Sequence, residues 1–566
     1  MSNTRNSDNT GIFHSDRILD YIILFILCCF VFIVQCKILW IYPDYFPLEN
    51  QETELDLIRG KQIFDAIFAK HDITGLLLLI RYDHPPVGII FNRLLGQFSK
   101  ELYRSVIWGK ALLTFPLALV MYFFGSRLWG RTGGLCAGVI CISSTLWLRS
   151  GTHFGTDNLL VLFVPLTLYF LFRSWDSLSG KHVWLFGIFF ILGLFTKVTY
   201  FLFIIFPLLY FHIRILIRDK KTFWLNFYLG FLLVLFAILI ICKLESGEFK
   251  DPYLDGIFWI SCFGGFLGTV RLYRQKRFFY ANLLLIYLIA ASFYWPWLAN
   301  STIFARFGAG FGTMTPYKIL SFLSDLFFPG CLVLIVISTI CGLFSRVRKE
   351  FSVVALSFYP FIFSFIGFFF YSHYHFTRHY IGALPLAVLL SLGFLGLLDR
   401  ELYKKIVFFI CLVLSTWLIQ GELSSIPPYV KSEPVREVVR AINEDADKTE
   451  VYLYVYPYVM KYINREYFKY FVGIEEKKSI WLVLPGRYPE AYEQYIDYFL
   501  VGHIPTSGKK DEYFGEYQVL KKFPHGELVF HLYKNPGVKP MPESLKERFH
   551  INNLPLVLPG EKRPSS

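Results

Sequence analysis

The chain has 566 residues, of which 55% are hydrophobic and 17% are charged, and its formal net charge is +13. Soluble globular proteins carry about 25% charged residues, and here the shortage is concentrated in long apolar runs. This composition excludes a soluble protein and predicts a polytopic membrane protein that is mainly α-helical.

The first apolar run covers residues 21–40 and follows a polar N-terminus of residues 1–17. Its length matches the roughly 20 residues that a helix needs to cross about 30 Å of hydrocarbon. Because no small-residue cleavage site follows it, we interpret it as a retained span rather than a signal peptide. Similar runs recur and predict about thirteen transmembrane helices. The predicted spans are 18–39, 105–124, 133–148, 157–172, 183–196, 198–211, 223–243, 255–270, 281–297, 326–344, 351–371, 379–398 and 405–420.

Lysine and arginine cluster in alternate connectors between these spans. The basic connectors are 126–131, 212–221, 271–277, 345–350 and 399–405. Short cytoplasmic loops carry such an excess, so the pattern predicts a cytoplasmic N-terminus and accounts for the positive charge without a nucleic-acid partner. We therefore expect a multi-pass protein of the inner (plasma) membrane whose residues after about 421 are extracytoplasmic. A reporter that works only in the cytoplasm should be inactive when fused at about residue 440.

The large first outer loop, residues 40–104, contains two stretches with helical periodicity, 49–68 and 86–102. Amphipathic helices beside a membrane lie along its surface, and we expect that arrangement here. Between the two stretches stands Asp83-His84-Pro85-Pro86, which is unusual in so apolar a chain. The prolines lack an N–H group and restrict the preceding residue, so the chain has to turn at this point.

Ionisable residues occur at four places on the predicted outer side of the membrane. Burying charge near hydrocarbon is costly, and such residues are usually kept for pairing or function. Their common level favours one functional site over four unrelated loop charges. The four groups are Glu52, Glu54 and Asp56; Arg81, Asp83 and His84; Asp157; and Arg378.

After Pro427-Pro428 the composition becomes that of a soluble domain. Alternating strand and helix patterns predict a small extracytoplasmic α/β domain over 426–535, after a transmembrane domain over 18–425. The tail, 536–566, is rich in proline and charge and is expected to be loosely ordered. The predicted elements are a helix at 433–445, strands at 449–456 and 479–485, a helix at 489–499, and strands at 517–523 and 527–535.

The ten cysteines all lie between Cys28 and Cys411, in apolar stretches and without CxxC spacing. We interpret them as small buried hydrophobic residues, and they predict neither a disulfide framework nor a zinc site.

The order of these motifs resembles the GT-C superfamily of glycosyltransferases that use polyprenyl-phosphate sugars. Within it, the chain is most similar to the protein O-mannosyltransferases and the bacterial lipid A aminoarabinose transferases. The resemblance covers about residues 18–400 and depends on Asp83-His84-Pro85-Pro86, Asp157 before a span, Lys197 in GLFTKVTY, and Arg378 before LPLAVLLSLGF. It implies a membrane enzyme that moves a sugar from a polyprenyl-phosphate donor to an envelope lipid, glycan or protein.

The resemblance also implies a role for each matching residue. His84 would contact the lipid-linked phosphate, and Asp83 would bind the sugar or help to hold a divalent metal ion. Asp157 matches the second acidic position and is the other candidate metal ligand. Arg81 and Lys197 would belong to the donor site; for Lys197, a lysine that extends to the membrane surface is the alternative reading. Arg378 would bind phosphate oxygens through its guanidinium fork.

The catalytic base is ambiguous because the chain departs from the family at this point. Relatives carry an aspartate at the start of the first surface helix, whereas this chain reads Gln51-Glu52-Thr53-Glu54-Leu55-Asp56. One alignment selects Glu52, and another selects Glu54 and Asp56. The resemblance implies direct displacement with inversion at the anomeric carbon, and Asp157 would support the reaction.

Two other classes of function compete with this hypothesis. A transporter or a flippase for lipid-linked sugars would carry repeats and charges near the membrane midplane. Here the charges lie at one face and a large outer loop is present, which favours the transferase. A scaffold without catalytic activity is the third possibility, and it is favoured by the missing family aspartate.

Overall fold

The computed structural model describes residues 17–41, 86–95, 102–151, 156–178, 180–197, 199–218, 223–246, 252–300, 327–328, 330–344, 349–369, 377–398, 400–424, 433–455, 479–483, 490–503, 517–525 and 528–546. The chain divides into two compact units, one of Met1–Cys36 and Arg59–Ser424 and the other of Lys37–Ile58 and Ser425–Ser566. Among the described residues, the first unit is helical, and the part of the second after Ser424 is mixed. The prediction of a mainly α-helical membrane protein with a small C-terminal α/β region is confirmed.

The described part of the helical unit contains long apolar helices. Its α-helices are Ile18–Ile41, Pro86–Leu95, Leu102–Leu112, Thr114–Ser143, Thr145–Ser150, Leu160–Ser177, Gly180–Leu194, Tyr200–Arg218, Phe223–Ser246, Pro252–Arg274, Phe278–Asn300, Cys331–Phe344, Lys349–Phe369, Leu384–Ser391 and Glu401–Ser424. Three 3-10 helices, Thr156–Leu159, Thr377–Ala383 and Gly393–Leu397, complete it. The surface helix predicted at 86–102 is described over Pro86–Leu95, and the one predicted at 49–68 lies outside the described residues.

Seven segments among the described residues are long and apolar enough to cross a membrane. They are Ile18–Lys37, Ser105–Ser143, Asp157–Ser177, Tyr200–Ile217, Pro252–Arg274, Phe278–Pro296 and Glu401–Ser424. Shorter apolar helices are Gly180–Leu194, Leu225–Phe236, Cys331–Ile340, Phe351–Ser364 and Tyr380–Gly396. The predicted spans at 105–124 and 133–148 both fall within one helical stretch, which is interrupted at a glycine.

The chain reverses at Gly130, whose φ of 81° interrupts the helix. Past this point the two helical arms pack with almost no side chain between them. A Cβ atom at Gly134 would lie 2.4 Å from the carbonyl oxygen of Tyr122, and one at Gly138 would lie 3.1 Å from that of Ala118. Small residues permit such close approach between membrane helices. Residues 114–143 therefore form a helical hairpin.

Two buried polar clusters mark opposite ends of the first helix. Near its start, Asp20 accepts hydrogen bonds from the Tyr122 hydroxyl (2.8 Å) and from Arg131 Nε (2.6 Å). Near its other end, Gln35 Nε2 donates to the carbonyl oxygen of Trp147 (2.9 Å). We call these the Asp20 end and the Gln35 end of the bundle. The pairing with Arg131, a half-exposed basic residue of the 126–131 connector, compensates the buried Asp20 carboxylate.

The C-terminal unit contains a five-stranded sheet with the order β2-β1-β3-β5-β4. The strands are β1 Glu450–Val455, β2 Ser479–Val483, β3 Tyr498–His503, β4 Gln518–His525 and β5 Leu528–Lys534. β2, β1 and β3 are parallel, whereas β3, β5 and β4 pair antiparallel. The helix Glu433–Asp445 has the predicted bounds and buries Val435, Val438, Val439 and Ile442.

The predicted helix at 489–499 is wrong. The chain forms only a 3-10 helix, Glu490–Tyr495, before entering the central strand β3. Phe499 and Leu500 point to opposite faces of β3 and are both fully buried. A strand covered on both faces shows no alternation of apolar and polar residues, so the sequence lacks the two-residue period that identifies a half-buried strand.

Eight of the ten cysteines have described side chains, and all of these except Cys29 are buried, which fits their interpretation as small hydrophobic residues.

The hairpin predicts a sharp contrast between two glycines. Gly134→Ala should lower the thermal unfolding temperature of the detergent-solubilised protein markedly, because the new Cβ would overlap backbone. Overpacking typically costs about 1–3 kcal/mol. Gly264→Ala is the matched control, since no heavy atom lies within 4 Å of its Cβ position. Equal unfolding temperatures for the two variants would contradict the hairpin.

Candidate functional site

The predicted site residues are only partly covered by the described residues. Asp157 and Lys197 are described in full, and Arg378 lies in a described backbone segment, Thr377–Ala383. The remaining predictions lie outside the described residues: Glu52, Glu54, Asp56, Arg81, Asp83 and His84.

Asp157 and Lys197 form an ion pair at the Gln35 end of the bundle. The Lys197 ammonium contacts Oδ1 of Asp157, and the two side chains are 19% and 4% exposed. Asp157 stands in the Thr156–Leu159 turn, just before the helix Leu160–Ser177. Lys197 follows the helix Gly180–Leu194, which runs antiparallel to the helix Leu160–Ser177. The sequence predicts both residues but not their pairing, which is the arrangement that makes a buried carboxylate tolerable.

The helix that follows the Asp-His-Pro-Pro motif begins beside this ion pair. Pro86 is its first residue, a position where a missing N–H group costs nothing. The next amide, Val87 N, donates to the carbonyl oxygen of Phe195 at 2.9 Å. Phe195 is two residues before Lys197, and the Pro86–Leu95 helix also contacts the Thr156–Leu159 turn. The end of the motif thus lies next to both members of the pair.

The segment that contains Arg378 packs against the same turn. The 3-10 helix Thr377–Ala383 contacts Thr156–Leu159 and the start of the helix after it. Gly382 makes this possible, since a Cβ there would lie 3.1 Å from Leu160 Cβ. The backbone segments of three of the four predicted groups therefore lie close together. They are the Pro86 end of the motif, the turn of Asp157, and the segment of Arg378. The prediction that they share one site is consistent with this convergence.

The span predicted at 379–398 is not one regular helix, and its burial in protein is what makes this possible. It is divided into a 3-10 helix, the helix Leu384–Ser391, and a second 3-10 helix. Every residue of Leu384–Ser391 is buried in protein. Non-helical backbone is tolerated at membrane depth only where protein or a water-filled cavity surrounds it.

A set of uncharged polar residues surrounds the Asp157 turn, and the sequence interpretation missed it. Asn158 Nδ2 donates to the carbonyl oxygen of Gly151 (2.6 Å), and Trp147 Nε1 donates to Thr114 Oγ1 (3.0 Å). Gln35 accepts from the same threonine hydroxyl (3.2 Å). The sequence signal for these residues is weak, because it consists of single polar residues inside apolar runs.

The predicted metal site is not assembled from the residues that the structure describes. Divalent cations such as Mg²⁺ are bound by several oxygen ligands. In the described part of the chain, no group of three or more metal-binding side chains is found. Asp157 faces an ammonium group, which supplies the positive charge that a metal would otherwise provide. Asp83, the other candidate ligand, lies outside the described residues.

Residues 83–242 match the family model described as dolichyl-phosphate-mannose-protein mannosyltransferase. This match confirms the resemblance to the GT-C glycosyltransferases. The matched range includes the Asp-His-Pro-Pro motif, Asp157 and Lys197, so it covers the described part of the site except the Thr377–Ala383 segment.

The chain is also similar to solved structures, but distantly. It shares 9% identity and a TM-score of 0.40 with the Archaeoglobus fulgidus oligosaccharyltransferase in complex with Zn and sulfate, covering 84% of this chain and 67% of that one. It shares 12% identity and a TM-score of 0.36 with ArnT from Cupriavidus metallidurans in the apo state, covering 92% and 99%. For the same ArnT bound to undecaprenyl phosphate, the identity is 11% and the TM-score is 0.36, and the alignment again covers 92% of this chain and 99% of that one. At such scores the GT-C assignment depends on the family match. No curated protein sequence matches the chain significantly.

The ion pair predicts a non-additive pair of substitutions. Lys197→Met should destabilise the protein by about 3 kcal/mol, because it leaves the buried Asp157 carboxylate without its cation. Adding Asp157→Asn should restore most of the loss, since no uncompensated charge then remains. Thermal unfolding in detergent measures both. A double variant no more stable than Lys197→Met would show that the two groups are not coupled.

Proposed function

We propose that the protein transfers a sugar from a polyprenyl-phosphate donor to an envelope acceptor with inversion at the anomeric carbon. The observation that carries this proposal is the meeting of the Asp157–Lys197 pair, the Pro86 helix and the Thr377–Ala383 segment at one end of the bundle. The family match over the first two of these elements supports the reaction class.

Cationic side chains around this point suit a phosphate leaving group. The Lys197 ammonium lies at the site, and its 19% exposure leaves part of it accessible to a ligand. Arg378 is assigned to the same donor phosphate, because guanidinium binds phosphate oxygens in a bidentate fork. His84 and Arg81 would add contacts from the loop before Pro86. Such contacts stabilise the charge that the polyprenyl phosphate carries as it leaves.

The reaction then requires positioning and one proton transfer. An acceptor hydroxyl oxygen bonds to the anomeric carbon while the bond from that carbon to the phosphate oxygen breaks. The hydroxyl proton passes to a carboxylate, and polyprenyl phosphate leaves with the bonding electron pair. Because this displacement occurs in one step, the anomeric configuration inverts, and no second carboxylate nucleophile is needed.

We assign the base to one carboxylate among Glu52, Glu54 and Asp56, and a supporting role to Asp157. The described geometry favours this division, since the Asp157 carboxylate already contacts an ammonium group. A carboxylate held in an ion pair is a weaker proton acceptor than an unpaired one. Asp157 is better suited to orienting Lys197 toward the donor phosphate than to removing a proton.

The location of the reaction follows from the predicted topology. We propose that the Gln35 end of the bundle faces the extracytoplasmic side of the inner membrane. The acceptor would then be an envelope lipid, glycan or protein, and the C-terminal unit would be on the same side. A divalent metal ion is a candidate cofactor, with Asp83 and Asp157 as its candidate ligands.

The experiment that tests the proposal uses the purified full-length protein in lipid nanodiscs with radiolabelled polyprenyl-phosphate sugars and an envelope extract as the source of acceptor. We expect label to move to the acceptor, and NMR of the product should show the opposite anomeric configuration. Arg378→Lys keeps the charge but loses the fork, so transfer should fall well below that of the wild type. Transbilayer movement of the donor in vesicles without transfer would instead indicate a flippase. Neither transfer nor movement would indicate a scaffold.

The base is identified by amide substitutions in the same assay. One of Glu52→Gln, Glu54→Gln and Asp56→Asn should lower turnover by about 10² or more, because the amide keeps the shape and removes the proton acceptor. Donor affinity should change little, since the phosphate contacts lie elsewhere. Asp176→Asn is the matched control, because Asp176 is an exposed carboxylate that pairs with Arg127 near the Asp20 end. Near wild-type turnover in all three variants would exclude the surface helix and direct attention to Asp83 or Asp157.

A further inference from the structure

The turn that carries Asp157 is closed by its neighbour, Asn158. The Asn158 side chain is 1% exposed, and its Nδ2 donates to the carbonyl oxygen of Gly151 at 2.6 Å. This single bond joins the two ends of the connector between Ser150 and Thr156. The position of Gly151 is thus linked to the residue beside Asp157.

Gly151 is itself fixed to the short helix Thr145–Ser150. Its amide donates to the carbonyl oxygen of Trp147 (2.8 Å), which also accepts from Gln35 Nε2 (2.9 Å). A Cβ at residue 151 would lie 2.5 Å from each of these two polar atoms, so the packing admits only glycine. The bundle-facing side of the short helix is thus anchored to the first transmembrane helix.

The opposite side of the short helix is anchored by the last transmembrane helix. Arg149 Nε donates to Glu422 Oε1 at 2.7 Å, and a second guanidinium nitrogen lies 2.6 Å from the same oxygen. Glu422 is two residues before the end of the helix Glu401–Ser424. Arg149 is exposed, whereas Glu422 is mostly covered. A residue at the far end of the transmembrane unit thus holds the segment that leads into the site.

We propose that Asn158, Arg149 and Glu422 are positioning residues that hold the Asp157 turn against Lys197. This inference rests on the proposed transferase function and adds residues to which the family resemblance gives no role. The contacts run from Glu422 to Arg149, and from Gly151 at the end of the same short helix to Asn158. Surface ion pairs contribute little to global stability, so variants of the pair should still fold. Small misplacements of a reacting group are expensive in rate, whereas binding of the donor tail is unaffected.

The test reverses the ion pair in the full-length protein. The variants are Arg149→Glu, Glu422→Arg and the double reversal, together with Asn158→Leu, which keeps the size and removes the donor. Glu401→Arg is the matched control, because it reverses an exposed charge at the other end of the same helix. Two readouts are taken, steady-state transfer kinetics and hydrogen exchange of the amides of residues 145–159.

Each single reversal should lower kcat roughly 10-fold. The donor KM should stay within about two-fold of the wild type. The double reversal should recover most of the loss in kcat. Asn158→Leu should lower kcat at least as much. Exchange at 145–159 should rise in the single reversals and return in the double reversal, while Glu401→Arg changes neither readout.

Wild-type transfer with unaltered kcat in the single reversals would overturn the inference and leave the transferase function intact. If the wild type shows no transfer, the proposed function fails, and hydrogen exchange alone decides whether the ion pair holds this segment. Exchange that is the same in all variants would then overturn the inference.

Discussion

The cost of placing a carboxylate inside a membrane bundle governs the arrangement of this site. Asp157 is almost completely covered, and an unpaired charge there would be strongly destabilising. The Lys197 ammonium pairs with it, which requires the loops after two different helices to meet at one level. That meeting brings the Pro86 helix alongside, because Val87 donates to the residue two before Lys197. The rest of the described site follows from this contact.

A second constraint is that backbone groups at membrane depth need partners within the protein. The site is built from pieces that break regular helix: a turn at Thr156–Leu159, a helix that starts on proline, and the 3-10 segment Thr377–Ala383. Each would be unfavourable against lipid. Packed against one another they satisfy part of this need, as the bond from Val87 N to Phe195 O shows. Three irregular backbone segments thus lie together beside the Asp157–Lys197 pair.

The parts of the structure that are predictable from the sequence are those with a strong local signal. Apolar runs predict the helices, and the helix Glu433–Asp445 shows its apolar face in the spacing of Val435, Val438, Val439 and Ile442. Strand β3 is not predicted from the sequence because both of its faces are buried. Its pairing with β1 and β5 determines its conformation. The basic connector 126–131 predicts the reversal near Gly130, but the close packing of the two arms is not predictable locally, because it depends on Gly134 and Gly138 lying against backbone of the other arm.

The same distinction holds for the site. Asp157 and Lys197 are conspicuous as charges in apolar surroundings, but their ion pair depends on how two helices pack. Arg149 and Glu422 are separated by most of the transmembrane unit and give no local sign of contact. Asn158 is hidden by the more prominent aspartate beside it. Residue identity is a local property, whereas pairing is a property of the whole bundle.

The central claim, that the donor phosphate binds at the Gln35 end of the bundle, is tested most directly by photo-crosslinking. A polyprenyl phosphate with a diazirine on its first isoprene unit is photolysed on the full-length protein, and the labelled peptides are identified by mass spectrometry. We predict labels in Pro86–Leu95, around Thr156–Leu159 and Lys197, and in Thr377–Ala383, with competition by unlabelled polyprenyl phosphate. Competable labels at the opposite end, around Asp20 and Arg131, would contradict the account.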